Sequence, residues 1–327
     1  MRRAIGRKGW AAKYAINWDT GGYTSLDLQL LPLETLKSRS AARDAISPGG
    51  VNLFVGMLTA PFRDESLSQI VSFAMANGIK GLEIPVAPGR KQVDVEKVLT
   101  SGPGDVKRTL ANTGVVISSL AYYAGNILVD KGSQEFFKKS VEACATLEVD
   151  VLCCLAGMAS PGKDKKATLR SDFKETYSVL ADFAKDHGVK LAMENWFATL
   201  LQGLDNFDLA FEMVPNANLG LNFDPSHLVH QQIDYVQAVH HLGKRIFHTH
   251  AKDTEIIRHR MHYRGIYEGG WWRYRIPGRG EINWNAYITA LKENGYDFVL
   301  SIEHEDGFFG REAGFADGAR YLNSILW

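Results

Sequence analysis

Short apolar runs and stretches of helical period alternate along the chain from residue 51 onward. The apolar runs lie near 51–57, 79–86, 114–121 and 150–156, then near 189–195, 219–224, 245–251 and 298–303. They are short and nearly continuously apolar, the pattern of strands covered on both faces. Between them, Leu67–Asn77, Val93–Asn112, Ser133–Leu147 and Leu169–His187 space their apolar residues as amphipathic helices do. The joints Asn77-Gly78, Thr113-Gly114, His187-Gly188 and Asn294-Gly295 place glycine where left-handed backbone ends a helix before a strand. Eight strands alternating with helices predict the α/β class with a parallel sheet under helices, and eight is the number that closes a (β/α)8 TIM barrel. An open doubly wound sheet would want a glycine-rich phosphate loop after an early strand, and no G-x-G-x-x-G or Walker sequence occurs there.

Four of the later runs turn polar at their C-terminal edge, ending in Glu194, Asp224, His250 and Glu303. In a barrel these edges form the active-site face, and inward side chains alternate along each strand. On that alternation Glu194 shares a face with Ala192, Asp224 with Asn222, His250 with His248 and Lys252, and Glu303 with Ser301 and Glu305. The four edge residues are expected to meet as three carboxylates and one imidazole, a divalent-metal donor set of hard character. A cation there polarises a substrate carbonyl while a carboxylate removes the adjacent proton; Glu194 and Glu303 are the expected bases. Any one of these carboxylates taken alone reads more simply as a salt-bridge or cap partner. It is their joint register that points to chemistry.

Other residues carry two readings each. His227 either faces substrate or caps the following helix, and Lys252 either binds a substrate oxygen or pairs with Glu305. His248, one layer deeper, reads as support for the site, and His304 as facing outward. Residues 254–283 form a long connection holding Arg258, Arg260, Trp271, Trp272, Arg273, Arg275 and Arg279. Aromatic planes there would stack on a sugar and arginine would bind hydroxyls or an anion, with Trp271 and Arg273 as substrate contacts. The same composition suits a subunit interface in a homo-oligomer. Glu83, Tyr122, Tyr123 and Asn126 are expected on the rim.

Composition narrows the field. The 327 residues are 45% hydrophobic, enough for a large core, and Lys+Arg equals Asp+Glu at 37 each. That balance lacks the basic excess of a nucleic-acid binder. Three cysteines, with Cys153 and Cys154 inside an apolar run, read as reduced core residues of a cytoplasmic protein. No run reaches the about 18 apolar residues of a membrane span. Residues 1–50 lack periodicity and are expected to be a poorly ordered N-terminal extension before a barrel domain at 51–327. The basic residues Arg2, Arg3, Arg7, Lys8 and Lys13 precede no apolar segment, so they do not form an export signal; a transit peptide is the alternative.

The segments MENW (193–196), NFDPSHL (222–228), HTHAKD (248–253), PGRGEINW (277–284) and LSIEHED (300–306) together resemble the sugar phosphate isomerase/epimerase superfamily, the xylose isomerase-like barrels. The resemblance covers about 51–325. It implies one catalytic divalent cation, commonly manganese with magnesium, cobalt or zinc as alternatives, held by Glu194, Asp224, His250 and Glu303. It further implies that the two glutamates exchange the proton and that His227 binds a sugar or keto-sugar. Free-ketose 3-epimerases of that superfamily carry a further Glu and Arg where this chain has Leu200 and Ile256, which argues against that particular reaction. The HAKDT and LSIEHED wording looks closer to members that act on oxidised sugars, among them inosose dehydratases. The expected function is therefore a metal-dependent isomerase or epimerase working beside a carbonyl. A lyase or dehydratase that continues to β-elimination is the alternative. A trinuclear-zinc phosphodiesterase would need more ligands on the early strands, yet all ten histidines follow residue 186. A non-catalytic binding protein would be expected to have lost ligands, and all four positions are filled.

Overall fold

The computed structural model describes residues 53–326. The expected N-terminal extension, 1–50, lies outside the described residues. Seven parallel strands follow in chain order: β1 (Phe54–Leu58), β2 (Gly81–Pro85), β3 (Val116–Tyr122), β4 (Val151–Leu155), β5 (Lys190–Glu194), β6 (Leu219–Phe223) and β7 (Ile246–Ala251). A separate antiparallel hairpin, β8 (Asp253–Ile256) and β9 (Trp272–Arg275), comes next. Then β10 (Val299–Ile302) pairs with both β7 and β1 and closes an eight-stranded barrel.

Local signals explain why the helices begin and end where they do. Ser66 and Gln69 form a reciprocal capping box at the start of Leu67–Ala76. Asp130, Asp234 and Asn283 cap Lys131–Leu147, Tyr235–Leu242 and Trp284–Glu293 by accepting from backbone N–H groups of the first turn. The four joint glycines all take positive φ, between +67° and +77°. The helix expected over Val93–Asn112 is instead two, Val95–Ser101 and Gly104–Leu110. Gly102 at φ +79° ends the first, and Pro103 takes the N-cap place of the second. A proline ring cannot sit inside a continuous helix, so the periodicity on either side could not join the two.

The apolar faces of the helices pack on the outer pleat of the barrel in one continuous core that includes Leu82, Leu120, Leu152, Leu191, Leu221, Leu300 and Ile302. The inner pleat is different. Its upper half is polar, and the strand register arranges it. Glu194 pairs with Asn222, Asn222 with His248, and His250 with Ser301. Strands in a closed barrel are tilted, so residues at one height on neighbouring strands are offset along the chain. Moving up that stagger brings Glu194, Asp224, His250 and Glu303 level with one another.

The hairpin is anchored to the barrel by one buried carboxylate. Asp253 Oδ1 accepts from the backbone N of Thr254 (2.8 Å) and Ile282 (3.0 Å), and Oδ2 accepts from Gly278 N and Trp284 Nε1, both at 3.0 Å. A Cβ on Gly280 would stand 2.3 Å from Asp253 Oδ1, so the PGRGEINW stretch can close over this aspartate only with glycine there. Among the described residues no helix is long and apolar enough to cross a membrane.

Candidate metal centre

The ends of β5, β6, β7 and β10 bring Glu194, Asp224, His250 and Glu303 together, with one donor atom from each lying within 4.8 Å of the others. His250 Nδ1 stands 3.0 Å from Glu303 Oε2, 3.5 Å from Glu194 Oε1 and 3.8 Å from Asp224 Oδ2. Such spacings suit donor atoms that share one ion at about 2.1 Å. Hydrogen bonding singles out the same point. Asp224 Oδ1 accepts from Ser226 N at 2.8 Å, while Asp224 Oδ2 and His250 Nδ1 are buried with no hydrogen-bond partner. Buried polar atoms are almost always paired, so two bare ones facing each other fit a missing ligand.

Lys252 is the competing explanation for the convergent charge. Its Nζ lies 2.6 Å from Glu303 Oε2, 3.1 Å from Glu305 Oε2 and 3.1 Å from Asp224 Oδ2. The ammonium satisfies the two glutamates, but its approach to Asp224 lacks hydrogen-bond alignment, and it does nothing for His250 Nδ1. It therefore balances part of the negative charge and leaves the two bare atoms available. Burial pushes the Lys252 ammonium down, yet Asp224, Glu303 and Glu305 outweigh it and hold the group charged well above its usual range. Burial likewise raises the carboxyls of Glu194 and Asp224. For Glu194, the neighbouring imidazoles of His227 and His250 reverse that; for Asp224, the charges of Lys252 and His227 do, and both end below the ordinary range.

His227 faces the same cluster, with Nε2 3.3 Å from Glu194 Oε1 and 3.4 Å from Asp224 Oδ2. Its other nitrogen, Nδ1, hydrogen-bonds the Tyr274 hydroxyl at 2.7 Å. Tyr274 lies on β9 with the Lys252 ammonium 4.4 Å above its ring, and Trp272, two residues earlier, stacks on His230 at 4.0 Å and 8°. The hairpin thus lays an aromatic wall beside the cluster. Trp271 and Arg273, read from the sequence as substrate contacts, are not brought to it. Trp271 is buried in the hairpin's own fold, its Nε1 donating to Ile266 O at 3.1 Å. Arg273 donates to Glu255 at 2.8 Å and covers the Phe308 ring. Strand alternation puts 272 and 274 on one face and 273 and 275 on the other. The signal for Tyr274 is the alternating WRYR, which inside the long connection 254–283 shows as a strand only once its pairing with β8 is seen.

Beneath the cluster lies a second polar layer. His248 Nδ1 is 3.0 Å from Asn222 Oδ1, and its Nε2 is 3.2 Å from Ser118 Oγ and 3.3 Å from Ser119 Oγ. Burial holds this imidazole down at about 4, so it is neutral. Glu83 departs from its expected place on the rim: it is fully buried at the core of β2, because its position in the pleat points inward. Burial pushes its carboxyl up, but His250 and His248 outweigh that and hold it near 2. Tyr123 joins it inside by donating its hydroxyl to Glu83. Tyr122, the last residue of β3, packs outward on Phe136, and Asn126 accepts from Ser133 Oγ at 3.1 Å. His304 contacts Phe315 outside the barrel, as expected.

A model of the xylose isomerase-like TIM barrel matches residues 71–325. The chain belongs to that family. YfiH of Bacillus subtilis, an uncharacterised protein, is 25% identical over 306 residues, spanning 81% of this chain and 95% of its own length. An inosose isomerase of Bacillus velezensis is 31% identical over 183 residues, 53% of this chain and 61% of the relative. Inosose dehydratases of Clostridium perfringens also match, at 26% over 159 residues, or 45% of this chain and 52% of the relative. The chain thus spans about half to three-fifths of the named enzymes it matches. Among solved structures, the zinc-bound IOLI protein superposes with a TM-score of 0.66 at 20% identity, covering 84% of this chain and 98% of that one; this shows the shared fold.

Proposed function

We propose that this protein is a divalent-metal-dependent isomerase or epimerase acting on a sugar, keto-sugar or cyclitol ketone. The observation that carries the reading is the bare pair Asp224 Oδ2 and His250 Nδ1, set among carboxylates from the ends of four strands. Glu194, Asp224, His250 and Glu303 would hold the ion, with manganese the first expectation and zinc, present in the IOLI structure, the second. A bound cation would supply Lewis acidity to a carbonyl oxygen.

The chain's own residues do the rest. Glu303, poised by Lys252 at 2.6 Å, takes the proton from the carbon beside the carbonyl. Glu194 receives one from His227 Nε2, 3.3 Å away, and delivers it to the substrate, after which Glu303 releases its proton to solvent and His227 regains one. Return to the same carbon inverts it, and return to the neighbouring carbon shifts the carbonyl. His227, locked by Tyr274, donates through Nε2 to a substrate oxygen, and the wall of Trp272 and Tyr274 covers a sugar or cyclitol face. Three buried, unpaired cysteines support a cytoplasmic setting.

A dehydratase reading has its own support. Lys252 and His227 add two proton donors beyond the glutamate pair, and a departing hydroxyl needs one. Deuterium exchange in manganese-loaded protein tests both. Inososes and 3-keto-glycosides are expected to take up solvent deuterium beside the carbonyl. Recovery of labelled ketone favours the isomerase, and loss of water with a new conjugated absorbance favours the dehydratase. Absence of exchange with any ketone and any of the four metals would sink the proposal.

A further inference from the structure

Glu83 is used by nothing in the chemistry above, yet it is a carboxylate buried at zero exposure on β2, across the barrel interior from β7. Among the described residues none of its hydrogen-bond or ion-pair partners is a lysine or arginine. Tyr123 donates its hydroxyl to Oε1, and Ser301 Oγ donates to Oε2 at 2.8 Å. Both carboxylate oxygens stand 3.2 Å from His250 Nε2. Burying a carboxylate in such surroundings is costly unless the site uses it.

Its partner indicates the use. A carboxylate cannot face the lone pair of an imidazole nitrogen, so the nitrogen it touches carries a proton. By the same rule Nδ1, 3.0 Å from Glu303 Oε2, carries a proton in the metal-free cluster; an ion held by the strand ends would displace that proton and leave Nε2–H on Glu83. The Asn222 amide also approaches Nε2, at 2.9 Å, and approaches the Tyr123 hydroxyl at 3.1 Å. Asn222 Nδ2 donates to the Tyr123 hydroxyl, whose own proton goes to Glu83, and of the two neighbours of Nε2 only Glu83 is charged, so Glu83 decides which proton Nε2 carries.

We propose that Glu83 is a positioning residue that accepts the Nε2 proton of His250 and so commits Nδ1 to the cluster formed with Glu194, Asp224 and Glu303. Outer carboxylates of this kind fix the tautomer and orientation of a ligating histidine and raise its basicity. The assignment rests on the metal reading given above, and it extends that reading to a strand that supplies no ligand.

The test is zinc binding by the full chain, stripped of metal, beside Glu83→Gln and Glu83→Asp. Wild type is expected to bind one zinc ion. Glu83→Gln, which keeps the size but loses the charge, is expected to weaken zinc binding by about 10- to 100-fold with unchanged stoichiometry. Glu83→Asp should recover part of that loss, and the melting temperature of the metal-free Gln variant should stay near wild type. Histidine-selective 15N spectra of the zinc-loaded wild type should show His250 metallated at Nδ1 and protonated at Nε2, with the Nε2 resonance moving in the Gln variant. Zinc affinity within twofold of wild type in Glu83→Gln would overturn the assignment. So would a large fall in the metal-free melting temperature that Glu83→Asp does not recover. A wild-type chain that binds none of zinc, manganese, magnesium or cobalt would overturn the metal centre itself, and this role with it.

Discussion

Two layers of polar groups fill the upper barrel, and either could be mistaken for a metal site. The lower gathers Glu83, Cys153 and His248, the upper Glu194, Asp224, His250 and Glu303, and both have donor atoms within 4.8 Å of one another. They differ in satisfaction. Both Glu83 oxygens and both His248 nitrogens have hydrogen-bond partners, and burial raises the Cys153 thiol far above the range where a thiolate would form. In the upper layer two buried atoms have none. Proximity of ligand-type residues is therefore weak evidence. Unspent hydrogen-bonding capacity is the stronger sign, because a closed network gains nothing by opening for an ion.

The sharpest way to break this contrast is Glu303→Gln. It should lower deuterium exchange into the ketone by about 10²- to 10⁴-fold, the usual range for a general base, with the melting temperature preserved. Exchange at the wild-type rate would remove Glu303 from its role. Next in size, Asp224→Asn should weaken manganese binding by at least about 100-fold in calorimetric titration, since an amide oxygen replaces a charged ligand. Equal affinity would mean that the ion, if bound, sits elsewhere.

His248, which touches none of the four strand-end donors through a hydrogen bond, should respond in stability rather than chemistry. His248→Ala leaves Asn222, Ser118 and Ser119 without their partner, which should cost about 1–3 kcal/mol in denaturant unfolding. Its manganese affinity should stay within a few-fold of wild type; a collapse of binding would merge the two layers into one. At the wall, Tyr274→Phe removes one hydrogen bond to His227, worth about 0.5–1.5 kcal/mol, so kcat/KM should fall between about two- and tenfold. The smallest effect is on pH dependence. Burial, reinforced by the charge of His227, holds His230 near 4 in the fold. As pH falls from about 6.5 toward 4 the unfolded chain takes up this proton and the folded one resists, so stability drops with acid across that window. His230→Phe keeps a ring against Trp272 and should flatten that part of the profile; an unchanged slope would deny His230 any share in it.

Much of this was readable from the chain. The eight barrel strands were legible because each is a local apolar run, and their closing carboxylates and imidazole because polarity changes within three or four residues. His248 was placed one layer below His250 from the two-residue alternation alone. The single helix expected over Val93–Asn112 breaks at Gly102-Pro103, where periodicity on both sides masks a stop that the two residues themselves announce. Trp271 and Arg273 drew attention by residue type, yet the pleat of β9 turned Trp272 and Tyr274 to the site instead.

Covalent alternation thus determined which face of each strand a side chain would take, since that depends only on neighbours in the chain. How far along its strand each residue would meet residues from other strands was settled by closure and tilt of the barrel. Glu83 shows the difference. Its sequence neighbourhood, GLEIP, marks an acid inside an apolar strand. That it reaches His250, 167 positions later, follows only from β2 and β7 facing each other across a closed interior. No local pattern encodes that meeting, because it arises from the packing of all eight strands at once.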